Sequence, residues 1–298
     1  MPSGLGFGLL ASLAWGVTDL SGALAARRVG SVGVLAGAQL TSLAVLLVIA
    51  AANRTLLDPG TLPGVAMGLF LGMFAAVAYL AFYAALRIGP ISVVSPVVAA
   101  YGGLTVVLAV LFRGESLVPL QAVGALVATA GIVLTGLELG GSLRETRIAG
   151  RGVAIALVTM VLFAVLTILL AGPIKDHGWL PVMLGSRLTN AGVGVLLLLV
   201  ALARRRGPLG SLLGPPGGAT RRAILLVVLA GTCDLIGFVA YTIGLQVAPT
   251  WLVGLASSFG PALVVLIAVA FLGERLRRSQ WLGLAMLAGG LLVLAVAA

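Results

Sequence analysis

Three ionisable side chains fall inside long apolar stretches of the sequence: Asp19, Arg187 and Asp234. Such groups are costly at membrane depth and are, by default, candidates for function. Counting 1.5 Å per helical residue, Arg187 sits roughly 10 Å from one face of a 30 Å hydrocarbon core, and Asp234, on the next antiparallel segment, roughly 14 Å from the same face. An Asp–Arg pair at that depth has two readings: it ties two helices together, or it presents a charge to a solute. Asp19 lies roughly one to two turns before Arg27 and Arg28. It either answers those arginines at the interface or takes up a proton or an ion.

A second constellation is aromatic. Tyr79 and Tyr83 are four residues apart and share a helix face. Phe238 and Tyr241 lie together on a later segment, Trp15 and Phe163 sit mid-segment in the two halves of the chain, and Tyr101 is central in its own segment. Rings with hydroxyl tips suit an amphipathic solute through stacking, cation–π contact and hydrogen bonding; the alternative is ordinary helix packing. A third feature is helix breaking. Tyr101-Gly102-Gly103 and Gly260-Pro261 both fall near mid-membrane, where glycine loosens a turn and proline removes a donor, so Gly102, Gly103, Gly260 and Pro261 are candidate hinges. Ser257 and Ser258 precede Pro261 by one turn and could satisfy freed backbone groups or touch a solute. Trp179, Trp251 and Trp281 lie near segment ends and read as interfacial anchors. Glu115 and Glu274, also at segment ends, read as caps or loop contacts.

Other chemistries lack their residues. Cys233 is the single cysteine and His177 the single histidine, so neither an intrachain disulfide nor a zinc site is expected. The sequence has no His-Glu-x-x-His, no phosphate-binding Gly-x-x-x-x-Gly-Lys-Ser/Thr and no paired intramembrane aspartates in a protease context. No enzyme activity, cofactor or metal is expected.

The elements that position these residues follow from hydropathy. Only 9% of the residues are charged and 61% are hydrophobic, against the roughly 25% charged of soluble domains. The expected solvent is therefore lipid. Ten segments are long and apolar enough to span it: 3–25, 31–52, 63–86, 91–112, 118–137, 150–172, 180–202, 223–246, 250–272 and 279–297. The first reads as a retained helix and not a cleaved signal. The net charge of +10 does not imply a nucleic-acid partner, because the arginines cluster between apolar runs, where lipid headgroups meet them. The Gly/Pro-rich stretch 203–222 reads as a flexible loop at the membrane surface.

An internal repeat organises the segments. Leu86-Arg-Ile-Gly-Pro90 matches Leu245-Gln-Val-Ala-Pro249 at an offset of 159, and Phe112-Arg-Gly-Glu-Ser-Leu117 matches Phe271-Leu-Gly-Glu-Arg-Leu276 at the same offset. Gln121, Gly124 and Gly131 continue it as Gln280, Gly283 and Gly290. Earlier segments follow an offset of 148, where Gly37-Ala-Gln-Leu-Thr41 resembles Gly185-Ser-Arg-Leu-Thr189 and Trp15 falls opposite Phe163. Five helices is an odd number, so the second copy must enter from the opposite side, as in many secondary transporters. The expected division is a first repeat over 1–137, a connection over 138–149 and a second repeat over 150–298. Loops after odd segments hold fourteen Lys or Arg and those after even segments three, which places the odd loops in the cytoplasm and both termini outside.

Two five-helix halves, an early Ala14-Trp15-Gly16 and the paired Gly114-Glu115 and Gly273-Glu274 together resemble the drug/metabolite transporter superfamily, in particular its EamA-type members. The resemblance covers the whole chain. It implies an all-α integral membrane protein with ten transmembrane helices, as two inverted five-helix repeats around a central cavity. It also implies a transporter in the inner or plasma membrane of a prokaryote, exporting an amino acid or related metabolite by alternating access. A multidrug, nucleobase or sugar-type carrier and a passive channel are the alternatives. The expected solute-facing residues are Trp15, Tyr79, Tyr83, Tyr101, Phe163, Asp234, Phe238, Tyr241, Ser257 and Ser258, with Asp19, Arg187 and Asp234 as coupling or ion-pair candidates. The expected partners are a small-molecule solute and membrane lipid, with the chain a monomer or weak homodimer. Both termini inside would be more usual for such proteins; the charge count here points the other way.

Overall fold

The computed structural model describes residues 2–55, 58–89, 91–136, 143–204, 208–260 and 278–297. They form helices and no strand. Helix α1 (Pro2–Ala52) is two helices joined without a linker: Gly30, at φ +82°, breaks it, and the left-handed region there requires glycine. The first arm runs through Arg27 and Arg28 to the break instead of stopping at 25. Both arginines are exposed on its last turn, where long stems can lie along apolar surface with the charge outside it. Helix α2 (Leu62–Ile88) follows a short turn closed by Asp58, which accepts from Gly60 N at 2.8 Å.

The expected fourth segment is two helices, α3 (Ile91–Ala99) and α4 (Tyr101–Arg113), and α5 spans Pro119–Gly136. Helices α6 (Leu143–His177), α7 (Trp179–Ala203) and α8 (Arg221–Val247) follow, the last capped by Thr220, which accepts from Ala223 N. Helix α9 (Thr250–Ser257) ends at a turn through Ser258, and α10 spans Arg278–Ala297. The remainder of the expected ninth segment, with Pro261 and Glu274, lies outside the described residues.

Among the described residues, six stretches are long and apolar enough to cross a membrane: Ser3–Ala52, Pro59–Ile88, Val94–Arg113, Gly150–His177, Trp179–Ala203 and Arg221–Val247. Burial is inverted relative to a water-soluble domain. Phe70, Phe112 and Val48 are at least 70% exposed, whereas Gln39, Asn190 and Arg187 are at most 1% exposed. Polar groups inside and large apolar groups outside suit a lipid solvent.

Small residues set the helix contacts. Helix α8 runs between the arms of α1. Thr18 donates to Ala230 O at 3.3 Å and Ser42 to Gly231 O at 2.6 Å, so the first arm is antiparallel to α8 and the second parallel. Helices α2 and α7 run parallel at backbone contact: a Cβ on Gly68 would strike Val182 O, and one on Gly185 would strike Val65 O. Helices α5 and α10 pair antiparallel, Gly124 opposite Gly290 and Gly131 opposite Gly283. The repeated Gly124/Gly283 and Gly131/Gly290 positions are thus the contact surface between the two copies.

Two expectations are corrected here. Trp251 is no interfacial anchor; it is 1% exposed within an apolar cluster with Ala99, Leu252 and Leu255. Glu115 turns it inward by accepting from the first amides of α9, Thr250 N at 3.0 Å and Trp251 N at 3.1 Å, which caps a helix of the second half with a carboxylate from the first. The stretch 203–222 is also not a loose loop over its described part. Arg87 donates to Ser211 O at 2.5 Å and Leu213 O at 2.9 Å, and Leu213 bridges to Gly30. Gly214 and Gly218 are small because Arg28 O occupies the space a Cβ would need. In this segment glycine serves close approach, not freedom.

Candidate functional site

The aromatic residues converge. Trp15 contacts Phe238 at 5.4 Å and Tyr241 at 5.3 Å between centroids, Tyr79 meets Phe163 at 5.7 Å, and Tyr101 meets Phe163 at 6.2 Å. These rings wall a cavity contributed by α1, α2, α3, α4, α6, α8 and α9. Asp19, Asp234, Ser257, Ser258 and Gly260 line it too. Of the ten residues expected to face a solute, nine line this cavity. The exception is Tyr83, fully buried behind Tyr79 with its hydroxyl unpartnered among the described residues. The open side of α2 carries Tyr79 and Phe82, three residues apart, and Phe82 takes the place expected of Tyr83.

Sixteen of the nineteen lining residues come in repeat-related pairs; Ser95, Leu170 and Asp234 stand outside them. At the offset of 159, Tyr79 pairs with Phe238, Phe82 with Tyr241, Val98 with Ser257, Ala99 with Ser258 and Tyr101 with Gly260. At the offset of 148, Trp15 pairs with Phe163, Thr18 with Leu166 and Asp19 with Thr167. Both members of every pair line the cavity, so it sits where the two halves of the chain face each other. Phe82 and Thr167 carried no chemical signal of their own, but the repeat register would have found them as mates of Tyr241 and Asp19.

Arg187 and Asp234 meet beside the cavity. Arg187 Nη1 lies 2.6 Å from Asp234 Oδ2, with 1% and 2% of the two residues exposed. Arg187 also donates to Gln39 Oε1, and Tyr79 donates its hydroxyl to Asp234 Oδ1 at 3.0 Å. The Phe238 ring lies 4.5 Å from the guanidinium carbon. Four helices, two from each half, thus share one polar junction: α1, α2, α7 and α8. Gln39 was not singled out from the sequence, yet the 148 offset makes it the repeat mate of Arg187, and the two mates touch. Arg187 itself does not line the cavity.

Asp19 differs. It keeps exposed surface toward the cavity and accepts a hydrogen bond from Ser95 Oγ on α3. Among the described residues no basic group lies within ion-pair distance, and Arg27 and Arg28 stay exposed at the end of the arm. The reading in which Asp19 answers those arginines is therefore not what the structure holds.

The helix breaks match across the halves. The first lies at Ala100, four residues after Pro96, and the second at Ser258 and Phe259, Phe259 being the 159-offset mate of Ala100. Gly102 and Gly103 are helical and just beyond the first break. A Cβ on Gly102 would meet Ser258, and one on Gly103 would meet Thr129. Those glycines allow α4 to lie against α9 and α5, and the discontinuity itself is two residues before Gly102. No cluster of metal-ligating side chains occurs among the described residues.

The EamA-like transporter family model matches residues 2–137 and 150–296. A solved crystal structure of a protein 21% identical in sequence is similar with a TM-score of 0.76 over 99% of this chain and 97% of its own, a likeness of fold. No curated protein matches the sequence.

Proposed function

From the premise that this chain belongs to the EamA-like transporter family, and is thus an integral membrane transporter of the drug/metabolite superfamily and not an enzyme, we propose that it is a secondary exporter of a small organic solute, an amino acid or related metabolite, working by alternating access. The observation that carries this reading is the paired lining of the cavity. A site built from equivalent residues of two copies can open to either side as the copies exchange conformations. The antiparallel α5–α10 contact and the opposed arms of α1 against α8 fit ten crossings in two inverted five-helix repeats.

The mechanism is rocking of the halves about the matched breaks at Ala100 and Phe259, with Gly260 and Pro261 as the adaptable positions beside the second. Asp19, open to the cavity and without a cation, is the coupling candidate; Asp234, held by Arg187, is the structural one. No phosphate-binding motif is present, so a solute or ion gradient supplies the drive. The protein is placed in a prokaryotic inner or plasma membrane, as a monomer or weak homodimer.

Reconstituted into proteoliposomes, the full chain is expected to give saturable flux of at least one member of an amino-acid and metabolite panel. Measured with and without a proton gradient, the same assay reads coupling. Ion conductance with no saturable solute flux would replace the carrier by a channel. Orientation is checked in a Cys233→Ser background with a single cysteine at exposed Ala219. By the Lys/Arg bias, a membrane-impermeant thiol reagent is expected to label it only from the cytoplasmic face of oriented membrane vesicles; labelling from the outer face alone reverses the assignment.

A further inference from the structure

The cavity presents acceptors to a solute and withholds donors. Its hydroxyl protons are already engaged. Tyr79 donates to Asp234, Tyr241 to Thr167 Oγ1 at 2.7 Å, and Thr167 to Phe163 O at 3.0 Å. Ser257 donates to Gly254 O at 2.9 Å, so Tyr101 donates to Ser257 Oγ at 2.6 Å. Ser258 donates to Leu255 O, Thr18 to backbone carbonyls and Ser95 to Asp19. The Trp15 indole N–H has no partner among the described residues, but it is buried against the backbone at Gly237, where a Cβ would lie 2.6 Å from it, and not turned into the open space.

The charges point the same way. Asp234 is neutralised by Arg187, and Phe238 stands between that guanidinium and the cavity. What remains facing the solute, among the described residues, is the carboxylate of Asp19 with no paired cation. Trp15 is four residues before Asp19, so indole and carboxylate share one face of the first arm of α1. The indole packs edge-on against Phe238 and tilted against Tyr241, which builds an aromatic wall one turn from an anionic group. Carboxylate plus aromatic wall is the chemistry that recognises an ammonium group, through charge-assisted hydrogen bonds and cation–π attraction. Among the described residues, a solute carboxylate would find no free donor turned into the cavity and no unpaired cation there, and an unpaired buried charge is strongly disfavoured.

We propose that Asp19 is the recognition carboxylate for the ammonium group of an apolar or aromatic amine, and that solutes bearing a free carboxylate are selected against. This rests on the transporter reading; within it, it sets aside the free amino acids and keeps the related metabolites that are amines, such as decarboxylated, amidated or esterified amino-acid derivatives.

The test is calorimetric binding to the purified full chain with three ligands that share one aromatic body: phenethylamine, phenylalanine and 3-phenylpropionate. Phenethylamine is expected to bind at least about tenfold more tightly than phenylalanine, with 3-phenylpropionate the weakest. Asp19→Asn is expected to weaken phenethylamine binding by about tenfold or more, and Asp19→Glu to retain part of it. Equal or tighter binding of phenylalanine or the propionate overturns the proposal, as does failure of all three to bind. So does an Asp19→Asn variant that binds the amine like the parent. The ligand comparison on the unmodified chain decides the matter even where a variant does not fold. Saturable proteoliposome flux of amino acids with no amine preference would sink this inference while leaving the transporter standing; loss of all saturable flux would remove the transporter reading itself.

Discussion

Arg187→Met is expected to destabilise the protein by about 3–5 kcal/mol, because it strands a buried carboxylate without its cation. Asp234 is 2% exposed, and its remaining ties would be the Tyr79 hydroxyl and a long contact to Gln39 at 3.5 Å. Neither carries a charge. The companion variant Arg187→Met with Asp234→Leu removes both charges and is expected to recover most of the loss, since apolar replacements of a buried pair are often neutral or better. Unfolding midpoints in detergent check both. A single variant as stable as the parent would show that the pair does not hold α7 to α8. Flux separates the two readings of the pair. If the double variant folds and still transports, the pair is structural, as the burial of Arg187 outside the cavity lining suggests. If it folds and transport is lost, the pair belongs to the working cycle.

The second large effect is steric. Gly185→Val is expected to cost about 3 kcal/mol or more, at the upper end of overpacking penalties. The added atoms would meet backbone, Val65 O and Leu69 N, the latter 2.7 Å from a Cβ at that position. Backbone inside a helix cannot turn aside as a flexible side chain does, so α2 and α7 would have to part. Their association depends on that closeness, because lipid supplies little hydrophobic drive between apolar helices. Separation would also disturb Thr189, which donates to Leu69 O at 2.9 Å. Gly192→Val on the same helix is the control. Nothing lies within 4 Å of a Cβ there, and a change within about 0.5 kcal/mol of the parent is expected. Equal losses at both positions would attribute the effect to helix propensity and not to the α2–α7 contact. Thermal or chemical denaturation in one detergent compares the three chains.

Hydropathy located the helices because burial of backbone polar groups in lipid leaves few other structures. It ended the first segment at 25 because arginines read as loop, whereas Arg27 and Arg28 extend from the last helical turn. It read 203–222 as flexible because glycine and proline suit both mobility and close contact, and composition does not tell these apart. The same ambiguity placed the hinge on Gly102 and Gly103, which turned out to be contact glycines. Spacing of four put Tyr79 and Tyr83 on one face, and their rings do stack, but the cavity opens along the edge that bears Tyr79 and Phe82. The repeat was the more informative signal. It holds the mates that line the cavity, and it pairs Gln39 with Arg187, a polar contact that neither residue announces alone. What no local pattern revealed was the asymmetry, a carboxylate at Asp19 where its repeat mate is Thr167.

The polar junction between the halves has a consequence for how the chain is made. Synthesis proceeds from the N-terminus, and early parts must wait for late ones. Thr18 is separated from its α8 acceptor by 212 residues, Ser42 by 189, and Gln39 from Arg187 by 148. Arg187 emerges 47 residues before Asp234, so α7 must enter lipid carrying an arginine whose counter-charge has not yet been translated. Until α8 is made, the ion pair is half present, and the partners of both arms of α1 wait for the same helix.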